Sequence, residues 1–428
     1  MQARTQKRWV FALGAAALTL LLTVIALNFS ASEKKIDRTL VTEFGVRDRD
    51  FLQNMGALLG PPILGGNTAK SLQNGAEIFP AMLGAIKGAK VSINFETYIY
   101  WSGNIGQRFA EALAERARAG VKVNVLLDWV GSQKMDDAYL TLMQDAGVRV
   151  AKYHPLRWYN VARMNNRTHR KLLIIDGLIG FTGGVGIADE WDGYAQDEKH
   201  WRDSHYRLQG PAVAHMQAAF VDNWIKATGE VLQGPSYFPA IAAAGTQRAQ
   251  MFRSSPTEGS ESVRLMYLLS IAAARRTVRI ATAYFVPDDL SLETLVAALK
   301  RGVKVQILLP GEKNDAWITR SASRARWGEL LAAGAEIYEF QPTFFHCKVM
   351  VVDDVWVSVG STNFDNRSFR LNDEANLNIY DDAFAGEQVA VFMRDLKRAK
   401  RVDAREWRQR PWTERVLEAP AVLLRSQL

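Results

Sequence analysis

Two segments of the chain carry the same three polar residues at the same spacing. In each, a histidine is followed two positions later by a lysine and seven positions later by an aspartate. The residues are His169, Lys171 and Asp176 in the first segment, and His346, Lys348 and Asp353 in the second. A single histidine and lysine at this spacing is a common coincidence, whereas two copies on apolar, β-branched runs indicate one functional unit used twice.

The alternation of side chains along a strand predicts which of these residues act together. Because neighbouring residues of a strand face opposite sides, His169 and Lys171 face one way and Asp176 the other. Bringing the two segments together then places two imidazoles and two ammonium groups at one site. A neutral imidazole is a nucleophile near pH 7, a protonated one supplies a proton to a leaving alkoxide, and lysine neutralises phosphate oxygens. The pattern therefore indicates phosphoryl chemistry.

The two aspartates of the motif are predicted to lie in the turns that follow the strands. Asp176 is followed by Gly177, a pair typical of a tight hairpin turn. We therefore expect Asp176 and Asp353 to shape the catalytic site without taking part in the bond-forming steps.

Downstream of each histidine lie residues that are candidates to support it. A nucleophilic or acidic histidine needs an acceptor on its second ring nitrogen, and Asp203 and Glu374 are the candidates. The alternative for both acids is a solvated or ion-paired group, which is equally common near a strand. In the segment GSTN, Ser361 and Asn363 are candidate donors to a phosphate, and Gly360 allows close approach of the backbone.

The elements that must position these residues also occur twice. Beyond about residue 60, runs rich in valine and isoleucine alternate with alanine-rich helical stretches, which predicts an α/β fold. A strand, helix and strand over residues 90–130 recur over 276–311. So long a repeat excludes a solenoid and favours one domain-sized unit used twice. Glycine, proline and small residues mark the boundary between about residues 230 and 260.

Length and composition bound the class of protein. The chain has 428 residues, 48% hydrophobic and 23% charged, with one cysteine, which excludes a disulfide-stapled scaffold and a disordered chain. The net charge of +8 is a weak indication of anionic partners such as phosphate groups of lipids or nucleic acids. The one cysteine, Cys347, alternates away from its neighbours and is expected to be a buried thiol.

The N-terminal segment is predicted to be a membrane anchor. Residues 9–32 carry no charged side chain, and as a helix they span about 36 Å, enough for a hydrocarbon core of about 30 Å. A cleaved signal peptide is the alternative, although its apolar stretch is usually shorter. Lysine and arginine flank the span on both sides, so the orientation stays open. The expected organisation is an anchor over 1–35, a first half over 36–235 and a second half over 255–428.

The motif residues closely resemble the phospholipase D superfamily. Its double pattern H-x-K-x4-D-x6-G-[GS]-x-N is almost complete here, and the segments ETYIY, NNRTHRKLLIIDG and GSTNFDNRSFRLNDE look most like its bacterial cardiolipin synthases. The resemblance covers most of residues 75–415. It implies two α/β/α sandwich halves related by a pseudo-twofold axis, with one composite active site.

The resemblance also implies a two-step reaction without a metal or other cofactor. His169 attacks phosphorus to give a phosphatidyl-histidine, and His346 donates and then removes a proton. One phosphatidylglycerol donates the phosphatidyl group, a second accepts it to form cardiolipin, and glycerol leaves. The implied location is the bacterial inner membrane, with anionic phospholipid as partner and no nucleic acid expected.

One departure from the family pattern and several alternatives remain. The family's first asparagine should stand at position 186, where this chain has Gly186. A lipid hydrolase that gives the phosphatidyl-enzyme to water would use the same residues. A nuclease or other phosphodiesterase of the superfamily is less favoured because of the apolar anchor, and intact motifs disfavour a scaffold without activity. The four other histidines lack the spacing of a zinc site.

Overall fold

A computed structural model describes residues 2–29, 36–155, 165–255 and 261–411 of the chain. Residues 30–35 of the predicted anchor, and residues 256–260 and 412–428 of the predicted second half, therefore lie outside the described residues. The three predicted boundaries stay predictions.

The N-terminal helices and the first half of the body come first along the chain. Their helices are α1 (Gln2–Phe29), α2 (Arg49–Leu59), α3 (Asn74–Gly88), α4 (Asn104–Arg118), α5 (Asp137–Asp145) and α6 (Val213–Thr228). Their strands are β1 (Leu64–Gln73), β2 (Ser92–Thr97), β3 (Lys122–Asp128), β4 (Arg149–Tyr153), β5 (Leu172–Ile175), β6 (Ile179–Gly183) and β7 (Ser204–Gln209).

The second half repeats this succession of elements. Its helices are α7 (Ser262–Ala273), α8 (Asp289–Lys300), α9 (Trp317–Ala332), α10 (Asn366–Arg370), α11 (Asp382–Leu396) and α12 (Ala404–Gln409). Its strands are β8 (Gln247–Ser254), β9 (Thr277–Thr282), β10 (Phe285–Val286), β11 (Lys304–Pro310), β12 (Glu336–Phe340), β13 (Lys348–Val352), β14 (Trp356–Gly360), β15 (Phe364–Asp365), β16 (Glu374–Tyr380) and β17 (Ala399–Arg401).

One continuous sheet joins the two halves. Its order is β17-β12-β11-β9-β13-β14-β16-β8-β1-β7-β6-β5-β2-β3-β4, so equivalent strands stand at equal distances from the central pair β8 and β1. Within each half of this sheet, three strands linked through helices are parallel and the rest pair antiparallel. In the second half, β10 and β15 form a separate parallel pair. This mirrored order confirms the predicted α/β fold with two related halves.

Helices cover both faces of the sheet. In the first half, α3 and α4 bury one apolar face of the strands. In the second half, α7, α8 and α9 do the same. The opposite face forms a shared core in which α6 and α11 pack on strands of both halves. Each half is therefore an α/β/α sandwich, and the shared core fixes one half against the other.

Two equivalent hairpins carry the strands that follow the histidines. Asp176 and Gly177 both have positive φ, at 54° and 66°, and Leu178 N–H donates to the Ile175 carbonyl at 2.9 Å. This is a type I′ turn, whose twist matches that of the flanking strands. Asp353 and Asp354 form the same turn between β13 and β14. The hairpin predicted at Asp176 and Gly177 is confirmed.

Candidate active site

The two site histidines meet where the halves exchange backbone hydrogen bonds. His169 N–H donates to the carbonyl of Asp373 at 2.9 Å, and His346 N–H donates to the carbonyl of Arg202 at 2.7 Å. Each of these carbonyl residues directly precedes a buried acid of the opposite half. The segment before β5 therefore runs beside the start of β16, and the segment before β13 beside the start of β7.

Each histidine is paired with the acid of the other half. His169 Nδ1 lies 3.0 Å from Glu374 Oε1, and His346 Nδ1 lies 2.7 Å from Asp203 Oδ2. Both acids are fully buried and both imidazoles nearly so. An Nδ1–H donated to a carboxylate leaves Nε2 with its lone pair available. The geometry therefore gives two oriented imidazoles, each held from across the pseudo-twofold axis.

Further donors hold the two carboxylates in place. Ser361 Oγ donates to Glu374, and Trp191 Nε1 donates to Asp203 at 2.9 Å. Burial disfavours the charged form of both acids, yet the neighbouring histidines help to hold the pKa of each below its ordinary value. Both acids are thus anionic at neutral pH. The sequence made Ser361 a candidate donor to a phosphate, but in the structure its hydroxyl donates to Glu374.

Burial keeps both histidines neutral. It lowers the pKa of His169 to about 4, against the opposing effect of Glu374. It lowers the pKa of His346 to about 3, and the nearby ammonium of Lys348 adds to the lowering. Near pH 7 both imidazoles are therefore uncharged, the form in which Nε2 can attack an electrophile.

The two lysines lie beside the histidines, as strand alternation predicted. Lys171 Nζ donates to the carbonyl of His169 at 2.9 Å, and Lys348 Nζ donates to that of His346 at 2.8 Å. Burial, with the charge of Lys348, lowers the pKa of Lys171 to about 7, and burial lowers that of Lys348. Two buried ammonium groups this close make a site that an anion stabilises.

The motif aspartates lie away from the histidines and tie strands together. The Asp176 carboxylate accepts backbone N–H groups of Lys90, Val91 and Ser92 at 2.7 to 3.1 Å. Asp353 accepts three equivalent N–H groups at the start of β9. Both carboxylates therefore hold the starts of β2 and β9 in place. The residues that follow these two strands line the cavity of the site.

The loops after β6 and β14 differ in what they bring to the site. A Cβ on Gly360 would collide with the Ala375 carbonyl, so the backbone there needs glycine. Asn363 is buried and lines the site. At the equivalent position in the first half, a Cβ on Gly186 would lie 2.8 Å from Ile99 Cβ and 3.1 Å from the Trp191 ring. The Trp191 ring thus fills the place of the first asparagine.

A cavity of about 350 Å³ opens above the histidines. Its walls include five side chains that were not singled out from the sequence, namely Tyr98, Arg167, Trp201, Tyr284 and Arg367. The tyrosines follow the equivalent strands β2 and β9, so the internal repeat carried a signal for them. Arg367 belongs to α10 of the second half, and it reaches the cavity wall because the two halves pack on each other.

Clusters of metal-ligating side chains and the thiol of Cys347 are two other groups that could carry chemistry. Within residues 2–29, 36–155, 165–255 and 261–411, no group of three or more histidine, cysteine, aspartate or glutamate side chains is placed to hold a metal ion. Cys347 is buried, and burial raises the pKa of its thiol to about 12. It is a buried thiol, as strand alternation predicted.

Comparison with known proteins agrees with this geometry. The family model described as cardiolipin synthase, phospholipase D-like domain, matches residues 82–199 and 267–396. A cardiolipin synthase of Geobacillus kaustophilus is 37% identical over 85% of this chain and 73% of the relative. The major cardiolipin synthase ClsA of Bacillus subtilis is 36% identical over 84% of this chain and 75% of the relative.

A solved structure shares the fold. The phosphatidylserine synthase of Haemophilus influenzae superposes with a TM-score of 0.69, covering 88% of this chain and 99% of that one, at 15% identity. The two segments of the family match contain the two histidine motifs and fall on the two halves of the sheet. The chain belongs to the cardiolipin synthase family of phospholipase D-like enzymes.

Proposed function

We propose that this enzyme makes cardiolipin by moving a phosphatidyl group from one phosphatidylglycerol to a hydroxyl of another. The observation that carries the proposal is the crossed pair of oriented histidines, each with a buried lysine beside it. Membership of the cardiolipin synthase family supports the choice of substrates. The cavity above the histidines is the place for the headgroups.

In the first step, Nε2 of His169 attacks the phosphorus of the donor lipid. A nitrogen–phosphorus bond forms, the bond from phosphorus to the glycerol oxygen breaks, and protonated His346 gives its proton to that oxygen. The anionic phosphate favours the protonated form of His346 while it is bound. Glycerol then leaves, and His346 is neutral.

In the second step, His346 takes the proton from the hydroxyl of the acceptor lipid. The acceptor oxygen attacks phosphorus, the nitrogen–phosphorus bond breaks, and His169 is free again. Throughout, Lys171 and Lys348 neutralise the oxygens of phosphorus, and Asn363 donates a hydrogen bond to them. Glu374 and Asp203 keep each imidazole in the tautomer that each step needs.

We further propose that α1 anchors the enzyme in the membrane. Among the described residues, one helix is long and apolar enough to span a bilayer, over Gln6–Val24, and none of that stretch is buried in the body. A helix that exposes its apolar side chains along such a stretch is stable in lipid. Substrate and enzyme then share one surface.

The test uses the full chain purified in detergent, given phosphatidylglycerol vesicles without added metal, with lipid products followed by mass spectrometry. We expect cardiolipin and glycerol, absent with His169→Ala and with His346→Ala, and retained with the control His200→Ala, whose half-buried ring lies outside the cavity lining. Phosphatidic acid alone would show a hydrolase, and no turnover would overturn the proposal.

A quench during turnover tests the order of the two histidines. We expect a phosphatidyl group on the peptide containing His169, and we expect it to accumulate in the His346→Ala variant with a donor that bears a good leaving group. Label on the peptide containing His346 would reverse the two roles.

A further inference from the structure

Arg167 lies beside His169 on the same side of an extended segment. The Arg167 carbonyl accepts from Asp373 N–H at 2.8 Å, and His169 N–H donates back at 2.9 Å, as in a parallel bridge. Alternate side chains then face one side, about 6.6 Å apart along the chain. Thr168, between them, faces the other way and donates to Glu96 at 2.5 Å. Arg167 therefore extends the row formed by His169 and Lys171.

A second arginine reaches the same place from the opposite half. Arg367 of α10 donates to the carbonyl of Asn165 at 3.1 Å, and Arg167 donates to the next carbonyl, of Asn166, at 3.3 Å. Both arginines line the cavity above the histidines. Burial lowers the pKa of Arg167, and the charge of Arg367 adds to the lowering. Two guanidinium groups held this close repel each other, and an anion bound to both relieves the repulsion.

The cavity is not symmetric about the pseudo-twofold axis. Two residues before the second histidine stands Phe344, where the first half has Arg167. The Phe344 ring lies 5.5 Å from the ring of His346 and 4.9 Å from that of Trp201. Arg167 thus stands near the first histidine, whereas the rings of Phe344 and Trp201 stand near the second, although the histidine and lysine pairs are duplicated.

Carboxylates also lie near the two arginines, since the charges of Asp128 and Arg167 act on each other, as do those of Asp365 and Arg367. Asp315 accepts the hydroxyl of Tyr284 at 2.7 Å, and Asp365 accepts the backbone N–H of Ser368 at 2.7 Å. Burial raises the pKa of Asp315, and it raises that of Asp365 to about 6. Lys134 adds a further ammonium to the wall, 4.0 Å from the Trp101 ring. Arg167, Arg367 and Lys134 therefore place three cationic side chains in the cavity wall beside the histidines and lysines.

We propose that Arg167 and Arg367 form a second anion site, which binds the phosphate of the acceptor lipid while the donor phosphate is held at the histidines and lysines. The inference rests on the proposed function, since only an acceptor that is itself a phospholipid brings a second phosphodiester into the cavity. Arg167 and His169 stand about 6.6 Å apart along the backbone on one side of the segment, so a phosphate held by Arg167 lies next to one held at His169. Water and free glycerol carry no phosphate and gain nothing from this site.

The experiment lets two acceptors compete in one reaction. The full chain in detergent receives phosphatidylglycerol together with deuterated free glycerol, and mass spectrometry gives the ratio of cardiolipin to deuterated phosphatidylglycerol. The ratio is internal, so a smaller amount of folded enzyme does not change it. We expect Arg167→Gln and Arg367→Gln each to lower it about tenfold, since each removes a charge-assisted contact to phosphate. Arg167→Lys, which keeps the charge, restores part of the ratio.

A soluble acceptor separates the phosphate from the acyl chains. With glycerol 3-phosphate competing against deuterated glycerol, we expect wild type to favour the phosphate-bearing acceptor and Arg167→Gln to lose that preference. The exposed variant Arg118→Gln removes the same charge outside the cavity and should change neither ratio. Ratios unchanged in both cavity variants, or changed as much in Arg118→Gln, would overturn the second anion site. If wild type forms neither product, the proposed function itself fails.

Discussion

Each site histidine takes its acid from the opposite half of the molecule. Glu374 orients His169 and Asp203 orients His346, and further donors such as Ser361 and Trp191 hold the acids. A half on its own would have a histidine and a lysine without the carboxylate that fixes the tautomer. At the scale of residues, the proposed catalytic unit therefore needs both halves.

Removing the charge of one acid tests the crossed pairing. Glu374→Gln keeps the size of the side chain and leaves Nδ1 of His169 without its anionic acceptor. We expect kcat to fall about 10²- to 10⁴-fold with little change in KM, since the tautomer is lost and the lipid contacts stay. The exposed variant Glu230→Gln is the control for loss of an acid. Steady-state rates within twofold of wild type in Glu374→Gln would contradict the orienting role.

The buried histidines also predict how stability depends on pH. Their folded pKa values of about 4 and 3 lie below the ordinary value of 6.5, so the unfolded chain binds more protons between those limits. The free energy of unfolding should therefore be highest above pH 6.5 and fall as the pH drops toward 4. Melting temperatures in detergent from pH 7.5 to 4 measure this.

The matched control removes both titrating groups. In a variant that combines His169→Gln with His346→Gln, the loss of melting temperature over the same pH range should be clearly smaller than in wild type. An equal loss of melting temperature in the variant and in wild type would show that carboxylates, and not these histidines, cause the sensitivity to acid.

At the scale of elements, the duplicated hairpins place equivalent groups and the loops after them differ. The turns at Asp176 and Asp353 repeat the same conformation, and each carboxylate ties the turn to the start of a neighbouring strand. The loop after β14 brings Asn363 to the cavity, whereas the loop after β6 carries Gly186 against Trp191. The two halves therefore have equivalent hairpins, whereas the loops that follow those hairpins differ.

Restoring the family asparagine in the first half should harm the enzyme. In Gly186→Asn, the new side chain meets Ile99 and the Trp191 ring, which itself donates to Asp203. We expect a loss of about 1–3 kcal/mol from overpacking and a lower rate, because displacing Trp191 disturbs the acid of His346. Thermal unfolding and turnover measure the two effects. Gly84→Asn, at a position with open space in α3, is the control. A stable variant with a raised rate would contradict the filled-space explanation.

At the scale of the whole molecule, one sheet and one shared core make the two halves a single body, while α1 stands apart from it. The central pair β8 and β1 and the core under α6 and α11 fix the distance across the active site. The apolar stretch of α1 buries none of its surface in that body. The histidines and lysines of the site therefore lie in the body, and the proposed membrane attachment lies in α1.

Removal of residues 1–29 tests this separation. The shortened chain should lose most of its binding to phosphatidylglycerol vesicles in co-sedimentation, because the apolar span is gone. Its melting temperature in detergent should stay close to that of the full chain, since no residue of Gln6–Val24 is buried in the body. A large drop in melting temperature would instead show that α1 packs on the body.

The sequence by itself determined the repeat, the strand alternation and the chemistry of the motif. The alternation of side chains along an extended segment depends only on neighbouring residues. The side-by-side placement of His169 and Lys171, and the turn at Asp176, could therefore be predicted from the sequence. The helix and strand pattern determined the α/β class for the same reason. Glu374 and Asp203 were identified as candidates, but nothing local told which histidine each would serve.

Only the tertiary structure decided which residues of one half contact the site residues of the other half. The crossed acid pairs, the approach of Arg367 to Arg167 and the filling of space at Gly186 by Trp191 depend on contacts between residues far apart in the chain. Such contacts arise from the pairing of β8 with β1 and from the shared core, which no short window of sequence encodes. In this protein the segments at the starts of β5 and β13 carry the histidines and lysines, and the packing of one half on the other brings them together.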